Sequence, residues 1–301
     1  MLRPFALHRP ATVADACAIL AAEGRDAAVY AGGTELLLVL KEGLARVKSL
    51  VDVKHLPGLA DIRADNGHLV LGAAATHRAV EQAAAVHARC PLVARVAHHV
   101  ANVRVRNVGT VGGNLAFADP HSDLATAFLL FDATVRLAGR GGDERAVPLG
   151  DFVLGPYETG RRDDEILTSV HLTPWPGGTA GAYMKYGMYE RPTLAVAVAL
   201  TVQDGAISGA RLAVGCVGPR SQRLASAEAR LRGWSLAELE RRAGEIGVEA
   251  AAAVDGVSDL HGSAEYKQDM TRVFVRRALL VAAARAAGRE GHERYPHTVV
   301  V

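Results

Sequence analysis

The residues best suited to chemistry in this 301-residue chain lie between Arg106 and Asp123, in the sequence RNVGTVGGNLAFADPHSD. Gly112 and Gly113 form a pair between small and polar residues, and glycine lets a backbone approach a ligand closely or adopt positive φ without strain. Asp123 follows Asn114 by nine residues and opens an apolar run. Exposed N–H groups followed by a carboxylate suit a ligand that has both phosphate and hydroxyl or ring N–H groups, as a nucleotide cofactor does.

A second glycine pair lies near the N-terminus, in the sequence VYAGGTELLLVL from Val29 to Leu40. A short apolar run ends at Tyr30, a glycine-rich turn follows, and an apolar helical pattern begins at Glu35. The order strand, glycine turn and helix start predicts a cradle for an anion, because unpaired N–H groups there point at the ligand. Neither glycine loop has the spacing of a dinucleotide GxGxxG motif or of a P-loop. If this chain binds a phosphate at these loops, its fold is therefore neither the dinucleotide-binding fold nor the P-loop fold.

These loops resemble those of the FAD-binding medium subunit of the molybdenum hydroxylases, the group of xanthine dehydrogenase and aerobic carbon monoxide dehydrogenase. In that family the first loop reads roughly AGGT-[DE]-L, and the second reads RN-x-GT-[IV]-GGN followed by A-x-P-x-SD. This chain has AGGTEL at 31–36, RNVGTVGGN at 106–114 and ADPHSD at 118–123. A third match is Tyr183-Met-Lys185-Tyr, followed by Arg191-Pro-Thr193. The resemblance extends from the N-terminus to about Ala287.

The resemblance implies an α+β protein with a two-part FAD-binding domain of the vanillyl-alcohol-oxidase or PCMH type. A C-terminal α+β domain, with a three-stranded antiparallel sheet and helices, follows. It also implies a set of FAD-contacting residues and no catalytic or metal-ligating residue in this chain. The predicted cofactor residues are Ala31, Gly32, Gly33, Thr34, Glu35, Leu36, Val100, Thr110, Gly112, Gly113, Asn114, Asp123, Leu167 and Lys185.

The chain divides into four predicted segments at its turn signals. Residues 1–55 and 56–176 form the two FAD-binding subdomains, which are separated near Pro57-Gly58 and end at the linker Pro174–Gly178. Residues 177–287 form the C-terminal domain, with strands over 182–187, 194–202 and 206–217 and helices over 221–231, 235–252 and 263–287. Asp204-Gly205 predicts a hairpin between the last two strands. Residues 288–301 are either a poorly ordered tail or a partner-docking segment.

Function follows from the family as an expectation. A large subunit would hold molybdenum–pterin, a small subunit would hold two [2Fe–2S] clusters, and FAD on this chain would deliver their electrons to NAD, a quinone, a ferredoxin-like carrier or oxygen. The expected assembly is a dimer of heterotrimers. Cys17, Cys90 and Cys216 are isolated from one another and none lies in a CxxC pair, so no metal centre is expected in this chain itself.

Composition excludes two other classes of protein. Thirty-four basic and 32 acidic residues leave a net charge of +2, which gives no electrostatic footprint for nucleic acid. No apolar stretch reaches the length of a transmembrane helix, and the N-terminus does not resemble a signal peptide, so a cytoplasmic location is expected.

Two other functions stay open at this point: a self-sufficient flavin oxidase or reductase of the same fold class, and a flavin-free assembly module. Single residues also have simpler interpretations. Asp123 would serve as an N-cap for a helix beginning at Leu124, Thr34 and Thr110 as caps, and Lys185 as a solvated charge. Arg191 is undecided and His121 is assigned no role. The adjacent His98 and His99 face different directions on a helix and cannot ligate one metal.

Overall fold

The computed structural model of the chain describes residues 2–187, 191–289 and 295–301. Its first part is a small parallel sheet with strand order β1-β3-β2. Thr12 caps the first helix by accepting a hydrogen bond from the N–H of Asp15. In chain order the elements are β1 (Ala6–His8), α1 (Val13–Glu23), β2 (Ala27–Tyr30), α2 (Leu36–Lys41) and β3 (Ser49–Asp52).

The second part is a five-stranded antiparallel sheet covered by short helices. Its strand order is β4-β5-β10-β6-β7, and strands β8 and β9 form a separate ribbon. In chain order the elements are β4 (Ile62–Asp65), β5 (His68–Gly72), α3 (His77–Gln82), α4 (Ala84–Arg89), α5 (Pro91–His98), α6 (Val103–Val108), α7 (Val111–Phe117), α8 (Asp123–Phe128), β6 (Thr134–Ala138), β7 (Glu144–Pro148), α9 (Leu149–Phe152), β8 (Val153–Gly155), β9 (Glu158–Thr159) and β10 (Ile166–Leu172).

The third part is a five-stranded antiparallel sheet with three helices on one face. Its strand order is β14-β13-β12-β11-β15. In chain order the elements are β11 (Thr179–Tyr186), β12 (Leu194–Gln203), β13 (Ala206–Gly215), β14 (Gln222–Arg223), α10 (Ala225–Leu231), α11 (Leu236–Ala253), α12 (Ala264–Ala286) and β15 (Thr298–Val300).

The third sheet differs from the sequence prediction at both edges. The three predicted strands form its centre, and positive φ at Asp204 and Gly205 makes the predicted hairpin turn. Strand β14 occupies residues that were predicted as the start of a helix, because Gln222 and Arg223 pair with β13. Strand β15 comes from the predicted tail and pairs with β11, with Val299 opposite Lys185. Residues 290–294 of that tail lie outside the described residues.

The sheet of the third part joins the two larger cores of the molecule. Small residues on one face of its strands, such as Ala195 and Ala197, pack together with the apolar helices of the second part, including Leu124 and Phe128. The opposite face packs against α11 and α12 through larger side chains such as Val196. Consecutive residues of a strand point to opposite faces, so β11 directs Tyr183 and Lys185 toward the second part. None of the helices in the described ranges combines the length and the apolar character that a membrane span requires.

Candidate cofactor-binding site

The first glycine loop, residues 31–35 between β2 and α2, presents unpaired backbone donors. Gly33 adopts a left-handed φ of +71°, which costs glycine little and would strain a residue with a side chain. Within the described ranges, the N–H groups of Gly32, Gly33 and Thr34 have no protein acceptor. Helix α2 has no side-chain cap, so the simpler interpretation of Thr34 as a cap of this helix is wrong. The loop offers donors that suit an anionic ligand.

Gly32 has a packing role that the sequence did not reveal. A Cβ at this position would lie 2.2 Å from the carbonyl oxygen of Val108 and 2.8 Å from the Cα of Gly109. Both atoms belong to the backbone just before the second glycine pair. The first loop therefore lies directly against the second segment, and only a residue without a side chain allows this approach.

The second glycine pair lies in a helix rather than in a turn. Gly112 and Gly113 belong to the first turn of α7, and Thr110 caps this helix by accepting a hydrogen bond of 3.1 Å from the Gly113 N–H. The N–H groups of Val111 and Gly112 donate to the carbonyls of Ala75 and Ala73. The backbone N–H groups that the sequence analysis expected to bind a ligand therefore donate to acceptors within the protein. The cap predicted for Thr110 is confirmed.

The two glycines of α7 face different surroundings. A Cβ on Gly112 would lie 2.6 Å from the Cβ of Ala73, in the interior. A Cβ on Gly113 would meet only the Thr110 hydroxyl, at 2.8 Å, and is otherwise in open space. A cofactor can therefore approach the backbone at Gly113, whereas Gly112 serves the packing of α7 on the end of β5.

Ser122, and not Asp123, caps helix α8. Its hydroxyl oxygen accepts from the Ala125 N–H at 3.1 Å and donates to the side-chain oxygen of Asn114 at 2.7 Å. The simpler interpretation of Asp123 as an N-cap is therefore wrong. Among the described residues the amide nitrogen of Asn114 has no acceptor, so it remains able to donate to a ligand.

Asp123 and Lys185 form a buried ion pair at the junction of the second and third parts. The Lys185 Nζ lies 3.0 Å from Asp123 Oδ2 and 2.6 Å from the carbonyl oxygen of His99, and the Tyr183 hydroxyl donates to Asp123 Oδ1 at 2.6 Å. Asp123 is 5% and Lys185 8% exposed, so the interpretation of Lys185 as a solvated charge is wrong. Burial raises the pKa of Asp123, while the charge of Lys185 and the hydrogen bonds oppose that rise. Lys185 retains one N–H donor beyond the two that these contacts use.

Arg191 connects the two cofactor segments. Its guanidinium donates to Asp119 Oδ2 at 2.8 Å and to Glu35 Oε2 at 3.1 Å, and these carboxylates lie in the second and first segments. Burial alone would raise the pKa of Asp119, but hydrogen bonds from His121 and the charge of Arg191 outweigh it, and the pKa lies below its usual value. Arg191, whose role the sequence analysis left undecided, thus contacts two protein carboxylates.

Two of the apolar residues predicted at the site, Val100 and Leu167, are buried. Val100 is 8% and Leu167 is 5% exposed, and both belong to the core of the second part. The Val100 carbonyl accepts from Arg106 at 3.1 Å. His77, which the sequence analysis missed, lies against Gly109 and is 3% exposed. Burial, and then the nearby charge of Arg106, lowers the pKa of His77 to about 4.

Metal ligation finds no support in the part of the chain that the structure describes, where no group of three or more histidine, cysteine or acidic side chains could hold an ion. His98 contacts Glu81 through Nδ1, at 2.8 Å, and its ring meets that of His99 edge to face. The three cysteines are buried thiols.

These features fit FAD as the ligand. The N–H groups of the first loop suit a pyrophosphate, and the open face at Gly113 admits a close approach. The remaining Lys185 donor and the carboxylate of Asp123 provide polar partners for the flavin or its ribityl chain. Gly113, Asp123 and Lys185 belong to elements whose apolar side chains are part of one buried core.

Comparison with known proteins points to the same cofactor. Residues 3–175 match the family described as the FAD binding domain in molybdopterin dehydrogenase, and residues 183–282 match the CO dehydrogenase flavoprotein C-terminal domain. The nicotine 6-hydroxylase medium subunit of Paenarthrobacter nicotinovorans is 33% identical over 282 residues, which are 92% of this chain and 96% of that protein. The carbon monoxide dehydrogenase medium chain of Hydrogenophaga pseudoflava is 32% identical over 286 residues, or 94% and 98% of the two chains.

A solved structure extends the similarity to the fold. Carbon monoxide dehydrogenase from Hydrogenophaga pseudoflava, in a form that lacks the Mo-pyranopterin moiety, superposes with a TM-score of 0.90 at 33% identity, covering 95% of this chain and 99% of that chain. The matched families cover both the FAD-binding and the C-terminal parts, and the similar proteins align over almost their whole length. The chain therefore belongs to the FAD-binding medium subunits of the molybdenum hydroxylases and is a subunit of an oxidoreductase.

Proposed function

We propose that this chain is the electron-output subunit of its complex. The FAD that it carries would take electrons from the [2Fe–2S] clusters of a small partner subunit and deliver them to an external acceptor. The clusters would be reduced by a molybdenum–pterin centre on a large subunit. The names of two similar proteins, a medium subunit and a medium chain, support a multi-subunit enzyme rather than a self-sufficient flavin oxidase.

The observation that carries this proposal is the convergence of the two motif segments with Lys185. Gly32 lies against Val108, Arg191 links Glu35 to Asp119, and Lys185 reaches Asp123 from the third part. These contacts bring residues from all three parts of the chain to one site. A cofactor at such a junction is bound and oriented by several rigid elements at once.

We propose that FAD contacts the residues predicted from the family. The first loop would bind the pyrophosphate through its unpaired N–H groups, with Gly113 and Asn114 facing the cofactor across the site. Asp123 and Lys185 would contact the flavin end, and Val100 and Leu167 would provide apolar surface that excludes water. Gly112 would contribute through its packing on Ala73 rather than through its N–H group.

The proposed organisation follows the same division. Residues 1–55 and 56–176 would be the two halves of the FAD-binding domain and 177–287 the C-terminal domain, which the matched ranges 3–175 and 183–282 support. The complete enzyme would be a dimer of heterotrimers with large and small subunits. The cytoplasmic location stays a prediction from the sequence.

The proposal is tested by removing FAD from an otherwise complete complex. Gly33→Val places side-chain atoms against the Tyr30 ring at a left-handed φ and should abolish FAD binding. Gly43→Val is the matched control, because Gly43 has a similar φ of +75° and no neighbour within 4 Å of a Cβ. Each complex would be reduced with dithionite and then mixed rapidly with an acceptor. The reoxidation of the iron–sulfur clusters would be measured from the change in their absorbance.

The expected result is specific to the first loop. The Gly33→Val complex should retain molybdenum, iron and its partner chains, but lack flavin and reoxidise its clusters much more slowly than the wild type and the Gly43→Val control. Cluster reoxidation at the wild-type rate in a flavin-free complex would mean that electrons leave by another route, and the proposal would fail.

A further inference from the structure

The ion pair between Asp123 and Lys185 has a third member, Tyr183, which is not among the predicted cofactor residues. Its hydroxyl donates to Asp123 Oδ1 at 2.6 Å across 60 residues of sequence. Its ring is among the largest fully buried side chains of the protein. Tyr183 lies two residues before Lys185 on β11, so both side chains point to the same face of the strand. The register of β11, with Tyr183 opposite Ala197 and Lys185 opposite Ala195, holds the two at fixed positions.

The charge of Asp123 depends on these two neighbours. Within the described ranges, the carboxylate oxygens of Asp123 accept hydrogen bonds from two side chains, Tyr183 and Lys185. The pKa of Asp123 lies above its usual value, because burial raises it more than the charge of Lys185 and the hydrogen bond from Tyr183 lower it. The loss of one donor raises the pKa of such a carboxylate further, because the donor stabilises the ionised form.

Two other titratable residues lie near Asp123, but neither takes over the hydrogen bond that the Tyr183 hydroxyl donates. Cys216, just beyond β13, is a buried thiol whose pKa is raised well above its usual value by burial and then by the charges of Asp123 and Asp119. His99 accepts from Lys185 through its backbone carbonyl, and burial, followed by the charges of His98 and Lys185, lowers the pKa of its imidazole. Neither side chain donates a hydrogen bond to Asp123.

We propose that Tyr183 is a positioning residue that keeps Asp123 ionised and aligned with Lys185, and thereby fixes the net charge that the flavin meets on this side of its site. The inference rests on the proposed placement of the flavin end beside Asp123 and Lys185. It adds a residue outside the cofactor contacts that adjusts the reduction potential through its neighbour.

The consequence for the flavin follows from the sign of the charge. An ionised Asp123 disfavours the anionic reduced flavin, and a protonated Asp123 does not. Without the phenol hydroxyl, the ionised form loses a hydrogen bond that favours it, so the pKa of Asp123 rises further. The flavin potential of a Tyr183→Phe variant should therefore exceed the wild-type value between the two pKa values of Asp123, where only the wild-type carboxylate is ionised. At lower and at higher pH the two potentials should be equal.

The test is a spectroelectrochemical titration of the flavin in the intact FAD-loaded complex, repeated across the pH range in which the complex is stable. The variants are Tyr183→Phe, Asp123→Asn and the double variant. Tyr186→Phe is the matched control, because Tyr186 lies on the same strand and its hydroxyl bonds to that of Tyr266 at 3.0 Å. A fluorinated tyrosine at position 183, a stronger donor of the same shape, is the complementary probe.

Each of the five altered proteins has its own expected result. Tyr183→Phe moves the pH inflection of the potential upward, and the fluorinated tyrosine moves it downward. Asp123→Asn raises the potential above the wild-type inflection, where Asp123 is ionised, matches the wild type below it and removes the inflection. Adding Tyr183→Phe to Asp123→Asn changes nothing further. Tyr186→Phe matches the wild type. If Tyr183→Phe does not assemble, the downward shift with the fluorinated tyrosine is the deciding result, and an unchanged inflection overturns the inference.

The outcomes also separate the inference from the proposed function. If Asp123→Asn alters the potential but Tyr183→Phe keeps the wild-type pH profile, Tyr183 has only a structural role and the inference is wrong, while the flavin placement stands. If Asp123→Asn leaves the potential unchanged, the flavin does not lie beside this carboxylate, and the proposed placement fails together with the inference.

Discussion

A Cβ on Gly32 would lie 2.2 Å from the carbonyl oxygen of Val108, so the two motif segments of this protein touch through bare backbone. Gly32 is not among the glycines that adopt a positive φ. A glycine is therefore required here by the close contact and not by the backbone conformation. The relative position of the first loop and the segment before α7 depends on this contact. The shape of the proposed FAD site depends on it in turn.

Gly32→Ala should separate the two segments and weaken FAD binding. A misfit of about 1–3 kcal/mol corresponds to a loss of affinity of about five- to more than a hundred-fold. Gly177→Ala is a suitable control, since a Cβ there has no neighbour within 4 Å and Gly177 is exposed. Flavin content after dialysis would measure the effect. Equal flavin retention in the two variants would mean that the contact does not shape the site.

The adjacent glycines of α7 should respond differently to substitution. Gly112→Ala forces a methyl group against Ala73 and should lower the stability of the apoprotein by about 1–3 kcal/mol. Gly113→Val extends into open space beside the Thr110 hydroxyl and should block FAD, with at most about 1 kcal/mol lost from the helix cap. Denaturant unfolding of the apoproteins and flavin content of the loaded proteins give the two readouts. The packing described above would be contradicted if Gly113→Val gave the less stable apoprotein and still bound a full complement of FAD.

Arg191→Met should loosen the link between Glu35 and Asp119. The Arg191 side chain is 48% exposed, and an exposed ion pair contributes only about 0.2–1 kcal/mol, so FAD should dissociate about two- to fivefold faster. Arg230→Met removes ion pairs with Glu245 and Glu249 that lie away from the site and should leave the rate unchanged. High salt should accelerate dissociation from the wild type but not from Arg191→Met, because salt screens the same pairs.

His77 should make the protein less stable in acid. The pKa of His77 is about 4 in the folded chain and about 6.5 when unfolded, so between these values only the unfolded chain binds the proton. Stability is therefore complete above about pH 6.5 and falls as the pH decreases toward 4, by up to about 3 kcal/mol. His77→Leu should flatten this part of the pH profile, measured by denaturant unfolding.

The control for His77 is the same substitution at an exposed histidine. His55→Leu, on the surface, should keep the wild-type slope between neutral and acid pH. A His77→Leu profile parallel to that of the wild type would show that the buried imidazole does not govern the acid sensitivity.

Much of the cofactor site could be predicted from the sequence because its motifs are local. Segments 31–36 and 106–123 contain glycines, caps and a carboxylate at short spacings, and such patterns indicate a ligand loop without any knowledge of distant contacts. The hairpin at Asp204-Gly205 was predictable for the same reason, since its turn chemistry lies within two residues. The resemblance to the medium subunits was confirmed because it rests on these local motifs.

Contacts between distant residues could not be predicted. The hydrogen bond from Tyr183 to Asp123 and the approach of Gly32 to Val108 are made by tertiary packing. The edge strands β1 and β15 have three residues each, too few for a periodic pattern, and pairing alone defines them. The helical position of the second glycine pair could not be predicted, because glycine is a poor helix former. Here Gly112 lies within α7, where close packing on Ala73 excludes a larger residue.

The most direct test of the account is to compare the complex isolated from the native host with this chain produced alone and supplied with FAD. We predict that the native complex contains FAD, molybdenum and iron with two further chains, and that its own substrate bleaches the flavin absorbance. The chain alone should show no substrate-dependent bleaching, because the proposed function places the molybdenum and iron–sulfur centres on the partner chains. Flavin reduction by the same substrate in the isolated, metal-free chain would contradict the assignment as an electron-output subunit.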